Sequence, residues 1–184
     1  MPDRERSEIL WEVDVDGEPH RGVLRGLNGG ISLDSQGRPS GGQLGANLRY
    51  VYTGKPMWDM WLSELFFEVL KTGHKMLVIE VESLTLAPAG RAGVRSAEAK
   101  VILGFARGAY ELTLPVRVTE VEGGVQIRSM KAGEIDLASS GYEPRLALLQ
   151  SVLGVGDLSS VVRFEFDLLF ATPSSPPPRP AGQK

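Results

Sequence analysis

The chain has 184 residues, of which 42% are hydrophobic and 23% charged, and its formal net charge is −3. This length and apolar content are typical of one globular domain with a sizeable core and exclude a chain that is disordered throughout. The weak negative charge, without a cluster of Lys and Arg, argues against a nucleic-acid partner. The absence of cysteine excludes disulfides, thiolate nucleophiles and iron–sulfur clusters.

The first residues are polar and charged and lead into no apolar stretch, so we predict no secretory signal. Charged residues interrupt the longest apolar stretches, which argues against a transmembrane segment. A cytoplasmic location is therefore expected. We divide the chain into a flexible N-terminal segment (1–7), a β-barrel domain (8–171) and a Pro-rich, disordered tail (172–184).

Apolar and polar residues alternate along most of the chain, which is the pattern of half-buried β-strands. In chain order, strands are predicted at 9–15, 44–52, about 75–87, about 94–106, 110–118, about 124–137 and 162–170, with one or two more between 21 and 34. Arg107-Gly108 and Gly123-Gly124 are short enough for tight hairpins. Asn28-Gly29-Gly30 is compatible with a hairpin or with a bulge inside one long strand.

Two segments have helical instead of alternating periodicity. In residues 57–72, apolar side chains recur at helical spacing and Gly73 is a plausible C-terminal stop, which predicts a long helix. Residues 143–153 predict a second, shorter helix that ends at Gly154. About eight antiparallel strands with these helices favour an all-β closed barrel, because closure leaves no exposed edge strand. A β-sandwich of the same strand number would produce the same pattern.

No arrangement of residues indicates catalysis, so we predict that the protein is not an enzyme. His20 and His74 lie far apart in predicted turns, without the spacing of a metal site, and no metal or cofactor is expected. Asp59 could make a polar contact at a barrel mouth. We favour the alternative that it caps the predicted 57–72 helix or complements its dipole.

Six aromatic residues fall within 18 positions, at Tyr50, Tyr52, Trp58, Trp61, Phe66 and Phe67. Most of them are expected to pack the helix against the barrel. An eight-stranded barrel has an interior just large enough for side chains or one small ligand. The sharper hypothesis is therefore that the helix covers a barrel mouth and that Trp58 or Trp61 lines an apolar pocket.

Three stretches resemble the YceI-like family. They are GLNGGISLD at 26–34, followed by a strand that ends in Thr53-Gly54; DMWLSELFFEV at 59–69; and GDLSSVVRFEFDLLFA at 156–171. Members of this family form lipocalin-like barrels and bind polyisoprenoid lipids or isoprenoid quinones. The family's usual opening, a tryptophan–aspartate strand followed by a histidine–serine pair, is missing or compressed in this chain.

The resemblance implies an all-β, lipocalin-like barrel of about eight strands that sequesters an isoprenoid-type lipid or a quinone. The inward faces of the strands 110–118 and 162–170 would form opposite walls, and the 57–72 helix would close one end. The expected ligand-binding residues are Tyr50, Tyr52, Trp58, Trp61, Leu65, Phe66, Leu114, Val116, Phe164 and Phe166.

The alternative hypothesis is a non-catalytic interaction or structural module. Its barrel would be filled by its own side chains, and an exposed apolar patch around residues 57–70 would make it a homodimer. The expected partners are thus an apolar small molecule (isoprenoid, quinone or fatty chain) or a second copy of the chain.

Overall fold

A computed structural model of the chain describes residues 2–3, 6–36, 38–73, 75–88, 93–105 and 108–171. His74 and the tail 172–184, for which predictions were made from the sequence, lie outside the described residues. The strands are β1 (Glu8–Val15), β2 (Glu18–Leu24), β3 (Asn28–Leu33), β4 (Pro39–Asn47), β5 (Val51–Tyr52), β6 (Met76–Leu86), β7 (Val94–Phe105), β8 (Gly108–Val121), β9 (Gly124–Ser129), β10 (Gly133–Asp136) and β11 (Leu158–Ala171).

These strands form one antiparallel sheet in the order β3-β4-β6-β7-β8-β9-β11-β1-β2-β5, with β10 also paired to β11. The two ends of this path belong to neighbouring pieces of chain. Residues 25–27 join β2 to β3, and a 3₁₀ turn (Leu48–Tyr50) joins β4 to β5, which pairs with the end of β2. The sheet therefore curls until its ends meet, and the chain itself completes the barrel.

The described residues form more strands than the about eight predicted, and the excess comes from strands that bend. β2 with β3, β4 with β5, and β9 with β10 are each one pass of the chain that a bend interrupts, so eleven strands make eight passes. The bend between β2 and β3 contains Gly26, whose φ of +68° is readily adopted only by glycine. Asn28-Gly29-Gly30 is accordingly the start of the second half of a bent strand and forms no hairpin.

The inward faces of the strands form the core as the alternation predicts. Leu114, Val116 and Val118 are buried on β8, whereas the residues between them are exposed. On β11, Phe164, Leu168 and Phe170 are buried in the same way. β8 pairs with both β7 and β9 in an unbroken antiparallel register. The apolar rows of adjacent strands therefore meet inside the barrel.

The helices lie at one end of the barrel. Asn47, the last residue of β4, pairs with Met76, the first residue of β6. Beside this pair, the amide of Leu48 donates to the carbonyl oxygen of Lys75 at 2.8 Å. Residues 48–75, here called the cap segment, therefore begin and end at the same place on the barrel, and β5 within them still pairs with β2. They contain helix α1 (Pro56–Trp61), a π-helix (Leu62–Phe66) and helix α2 (Val69–Thr72). A 3₁₀ turn (Leu137–Ser140) and helix α3 (Glu143–Leu153) complete this end.

The helix predicted over 57–72 is not continuous, and this corrects the sequence prediction. After the π-helix, Glu68 adopts a left-handed backbone conformation with φ of +50°, which ends one helix and starts the next. A non-glycine residue in this conformation is strained, so it needs support from its surroundings. Helix α3, in contrast, has the predicted bounds 143–153 and ends at Gly154.

Two further predictions differ from the structure. The strand predicted at 44–52 ends at Asn47, whose side chain accepts from the amide of Arg49 and starts the 3₁₀ turn. In the segment 1–7, predicted to be flexible, the amide of Asp3 donates to Leu169 on β11 at 2.7 Å. Ser7 is buried there and its hydroxyl also reaches the Leu169 carbonyl, so both residues are fixed against β11.

Candidate ligand-binding cavity

The barrel contains a partly open cavity of about 160 Å³. Its lining is apolar apart from Gly41 and Ser159, and it comes from nearly every strand and from the helices at one end. Representative residues of the wall are Ile9, Trp11 and Val13 on β1, Leu44 on β4, Ile79 on β6, Ala99, Val101 and Leu103 on β7, and Phe164, Phe166 and Leu168 on β11.

The size and polarity of this cavity determine what can occupy it. Its volume is more than ten times the roughly 10–15 Å³ that one buried water needs. Water nevertheless requires two to four polar partners, and this wall offers almost none. A cavity of about 150 Å³ with an apolar wall stays dry and accepts benzene or xenon. The barrel interior is therefore suited to an apolar group at least as large as an aromatic ring.

The cap segment forms one end wall of the cavity. Leu62, Phe66 and Phe67 point inward from the π-helix and the residue after it. Phe66 stacks on Tyr142 with ring centroids 5.1 Å apart, and Phe67 stacks on Phe105 at 6.4 Å. Leu146 and Leu149 of α3 line the same end. This wall consists of large side chains on short helical pieces, whereas the remaining wall is continuous sheet.

A buried ion pair holds the cap segment against α3. The carboxylate of Glu68 accepts from the guanidinium of Arg145 at 2.6 Å, and the side chain of Glu68 is only 6% exposed. The ammonium of Lys71 lies 3.1 Å from the same oxygen. Because Glu68 is the residue with the left-handed backbone, this pair supports the strained break in the cap segment directly.

Trp11 is placed in the cavity by a glycine on the neighbouring strand. In the register of β1 and β2, Trp11 lies opposite Gly22, which is buried. A Cβ atom at Gly22 would lie 2.2 Å from Cζ2 of Trp11, far inside van der Waals contact. The indole can therefore lie flat across β2 only because residue 22 has no side chain.

Replacing Gly22 with alanine is expected to lower the melting temperature by about 5 °C, because a shift of the indole costs about 1–3 kcal/mol in a packed interior. The matched control is Gly30→Ala on β3, where a Cβ would meet nothing within 4 Å. Thermal unfolding followed by circular dichroism measures both variants. Equal melting temperatures for the two variants would contradict the proposed role of Gly22.

A smaller recess of about 40 Å³ lies beside the cavity and shares Trp11, Val13 and Leu62 with it. Here the imidazole of His20 lies 5.0 Å from the Trp58 ring, and the ammonium of Lys55 lies 3.8 Å above that ring. Arg21 also lines the recess, but its guanidinium donates to Glu12 at 2.6 Å. This hydrogen bond lowers the pKa of Glu12 below its ordinary value.

Asp59 has a structural role in the cap segment. One of its carboxylate oxygens accepts from the backbone amide of Thr53 at 2.7 Å and from the Thr53 hydroxyl at 2.5 Å. Asp59 thus fixes the turn that leads into α1, in the first turn of that helix. Its place in the first turn fits the favoured interpretation that its charge complements the helix dipole, whereas its hydrogen bonds go to Thr53 before the helix and cap no helical amide.

Of the ten residues expected to bind a ligand, the structure brings three to the cavity wall, namely Phe66, Phe164 and Phe166. Leu114 and Val116 are buried but covered by other side chains, and Leu114 packs close to Gly133 with Phe164. Trp58 lines the neighbouring recess, and Trp61 and Leu65 are half-buried outside the cavity wall. Tyr50 and Tyr52 are 62% and 59% exposed and lie on the outer surface.

Most of the wall comes from residues that the sequence prediction of the site omitted. Trp11, Leu44, Val101 and Leu103 belong to inward rows of alternating strands, as do the chosen residues Phe164 and Phe166. The alternation identified these rows, and extending the choice from a few strands to all of them would have found this part of the wall. Leu62 lies on the apolar face of the predicted 57–72 helix and Phe67 extends that face, so the helical periodicity also pointed to them although neither was chosen.

Among the described residues, no three His, Asp or Glu side chains are grouped so that they could hold a metal ion. The hydroxyl of Ser159, which lines the cavity, is hydrogen-bonded to the backbone of Val161. In the same part of the chain, no helix combines the length and apolar character needed to cross a membrane.

The fold is similar to that of several solved structures. A polyisoprenoid binding domain from Saccharophagus degradans, implicated in plant cell wall breakdown, has a TM-score of 0.77 at 16% identity, covering 94% of this chain and 97% of that one. BcnA from Burkholderia cenocepacia has a TM-score of 0.66 at 14% identity, covering 93% and 100%. A YCEI protein from Campylobacter jejuni has a TM-score of 0.55 at 14% identity, covering 82% and 85%. This is the YceI-like fold.

The YceI-like fold confirms the resemblance of the three sequence stretches at the level of structure. Each stretch occupies a position that shapes the barrel: 26–34 contains the bend into β3 and β3 itself, 59–69 forms the middle of the cap segment, and 156–171 contains β11. No family model matches the sequence, and no curated protein does either. The similarity is thus preserved in the three-dimensional arrangement at sequence identities of 16% and below.

Proposed function

We propose that this protein binds an isoprenoid-type lipid or a quinone, with part of the ligand's apolar chain inside the barrel. The observation that carries the proposal is the cavity of about 160 Å³ with its apolar wall. Interiors of proteins are normally packed as densely as organic crystals, and few voids exceed the size of a water molecule. An apolar void of this size lowers stability unless something apolar fills it.

The same cavity favours the carrier over the interaction module, the two hypotheses that the sequence left open. A barrel filled by its own side chains, as the interaction module requires, would leave no such volume. Large side chains such as Trp11 and Phe166 are available on the wall, yet both keep partly exposed surface although they point into the barrel. Their arrangement supports a carrier, whose ligand would cover that surface.

The structural neighbours support the same class of ligand. The Saccharophagus degradans protein is described as a polyisoprenoid binding domain and shares the barrel of this chain over nearly its whole length. A branched isoprene unit is apolar and close in size to an aromatic ring, so it suits a cavity of this volume. Binding without catalysis is the simplest function for a wall with no acid, base or free nucleophile.

We expect purified protein to carry a prenyl lipid or quinone. Native mass spectrometry should show an added mass on the purified protein. Organic extraction should remove this mass, and the extract should contain an isoprenoid. Titration of extracted protein with geranylgeraniol should then change the fluorescence of Trp11, whose indole lies in the cavity wall. Protein without any added mass and with an unchanged emission spectrum at saturating geranylgeraniol would refute the proposal.

A further inference from the structure

The charges of the cap segment are sorted between its two faces. All of its Lys and Arg residues, namely Arg49, Lys55, Lys71 and Lys75, are exposed. Its three acidic residues are not: Glu68 is buried, and Asp59 and Glu64 are half-buried. The charged side chains that are fully exposed on the cap segment are therefore all cations, of which Lys71 is paired with Glu68, in a chain whose net charge is −3.

Large apolar side chains are exposed on the same segment. Met57 and Met60 of α1 are 54% and 47% exposed, and a spacing of three residues places them on one side of the helix. Leu70 of α2 is 67% exposed, and Tyr50 and Tyr52 are also exposed. Single apolar residues on a surface are ordinary, but here five of the exposed large hydrophobic residues occur within one short segment.

We infer that the outer face of the cap segment docks on an anionic phospholipid bilayer. Exposed cations among apolar and aromatic side chains are the composition of surfaces that lie in a membrane interface. Lys and Arg are attracted to anionic head groups, while Met and Tyr side chains enter the boundary between head groups and acyl chains. Charge complementarity favours this occupant over a second copy of the chain, whose own cap segment would present the same positive charge.

The cap segment separates the proposed docking surface from the ligand cavity. The inner face of the cap segment is the end wall of the cavity, through Leu62, Phe66 and Phe67. A bilayer on the outer face would therefore lie one helix thickness from the cavity. Docking goes beyond the proposed ligand binding, because vesicles can be bound whether or not the cavity holds a lipid.

Co-sedimentation with vesicles tests this surface. The full-length protein is expected to bind vesicles that contain phosphatidylglycerol and not vesicles of phosphatidylcholine alone, and added salt should weaken binding by screening the cations. Arg49→Gln with Lys75→Gln should weaken binding about twentyfold, since each cation near an anionic surface contributes about fivefold. Met57→Ser with Met60→Ser should weaken it about tenfold through lost apolar burial.

The matched control is Met130→Ser with Lys131→Gln, which removes an exposed methionine and an exposed lysine outside the cap segment. It should bind vesicles like the parent protein. The inference is overturned by absent vesicle binding, by equal losses in control and cap variants, or by equal binding to both kinds of vesicle. It is also overturned if the methionine variant changes only a monomer–dimer equilibrium measured by light scattering. Unchanged geranylgeraniol binding by the cap variants separates this test from that of the cavity.

Discussion

Replacement of Arg145 by leucine is expected to lower the free energy of unfolding by about 3 kcal/mol, because a buried charge loses its main partner. The partner is Glu68, whose carboxylate is buried between the cap segment and α3 and lies 2.6 Å from the guanidinium. Lys71 remains within 3.1 Å but is largely exposed, so it compensates only in part. Urea unfolding monitored by tryptophan fluorescence gives the free energy directly.

The double variant Glu68→Gln with Arg145→Leu should recover part of this loss, since it also removes the buried carboxylate charge that Arg145→Leu leaves without its main partner. Arg128→Leu is the matched surface control. Arg128 pairs with Asp167 on the outer face of the barrel and is 62% exposed, so its loss should cost about 0–1 kcal/mol. An Arg145→Leu variant as stable as Arg128→Leu would show that the buried pair does not hold the cap segment in place.

The buried pair also explains why the cap segment could not be predicted in detail. Helical periodicity over 57–72 records which residues are apolar, and it is satisfied equally by one helix or by three short pieces. The break occurs at Glu68, whose left-handed backbone is accompanied by a pairing of its side chain with Arg145, a residue distant in sequence. Contacts of this kind leave no local pattern in the residues on either side.

The barrel itself was predictable because its alternation is local. Each inward row, such as Leu114, Val116 and Val118, follows from the period of a strand, and the tight turn at Gly123 follows from its backbone freedom. The bend at residues 25–27 and the closure of the sheet depend on pairing between distant strands, so the alternation left barrel and sandwich equally possible. The resemblance to YceI-like proteins favoured the barrel, and the structure has that fold.

The candidate site was predicted less well than the fold, for a geometric reason. Tyr50 and Tyr52 continue the alternation of β4, which places them on an inward row if the strand continues. The strand instead ends at Asn47, and the 3₁₀ turn changes the direction of every later side chain. Leu114 and Val116 do lie on an inward row, but their neighbours cover them. Alternation identifies the inner face of a barrel and does not locate the empty space within it.

Filling that space is expected to abolish ligand binding without unfolding the protein. Ala99 lies on β7, is 3% exposed and lines the cavity, so Ala99→Phe would place a phenyl ring in a space of about 160 Å³. A cavity of about 150 Å³ accepts benzene, so the ring fits in volume. Burial of the ring contributes about 1.5–3 kcal/mol, which offsets about 1–3 kcal/mol of overpacking strain. Stability should therefore change little, while affinity for geranylgeraniol falls at least about a hundredfold, the equivalent of about 2.7 kcal/mol.

Ala109→Phe is the control for this change, because residue 109 is exposed on β8 and the added ring would remain in water. It should keep both the copurifying lipid and the parent affinity, measured by tryptophan fluorescence. An Ala99→Phe variant that folds normally and still carries the same lipid would place the ligand outside the barrel. If Ala99→Phe loses the lipid but still binds phosphatidylglycerol vesicles, the cavity and the outer face of the cap segment act separately. Ligand would then be held by the inner face of a segment whose outer face meets the membrane.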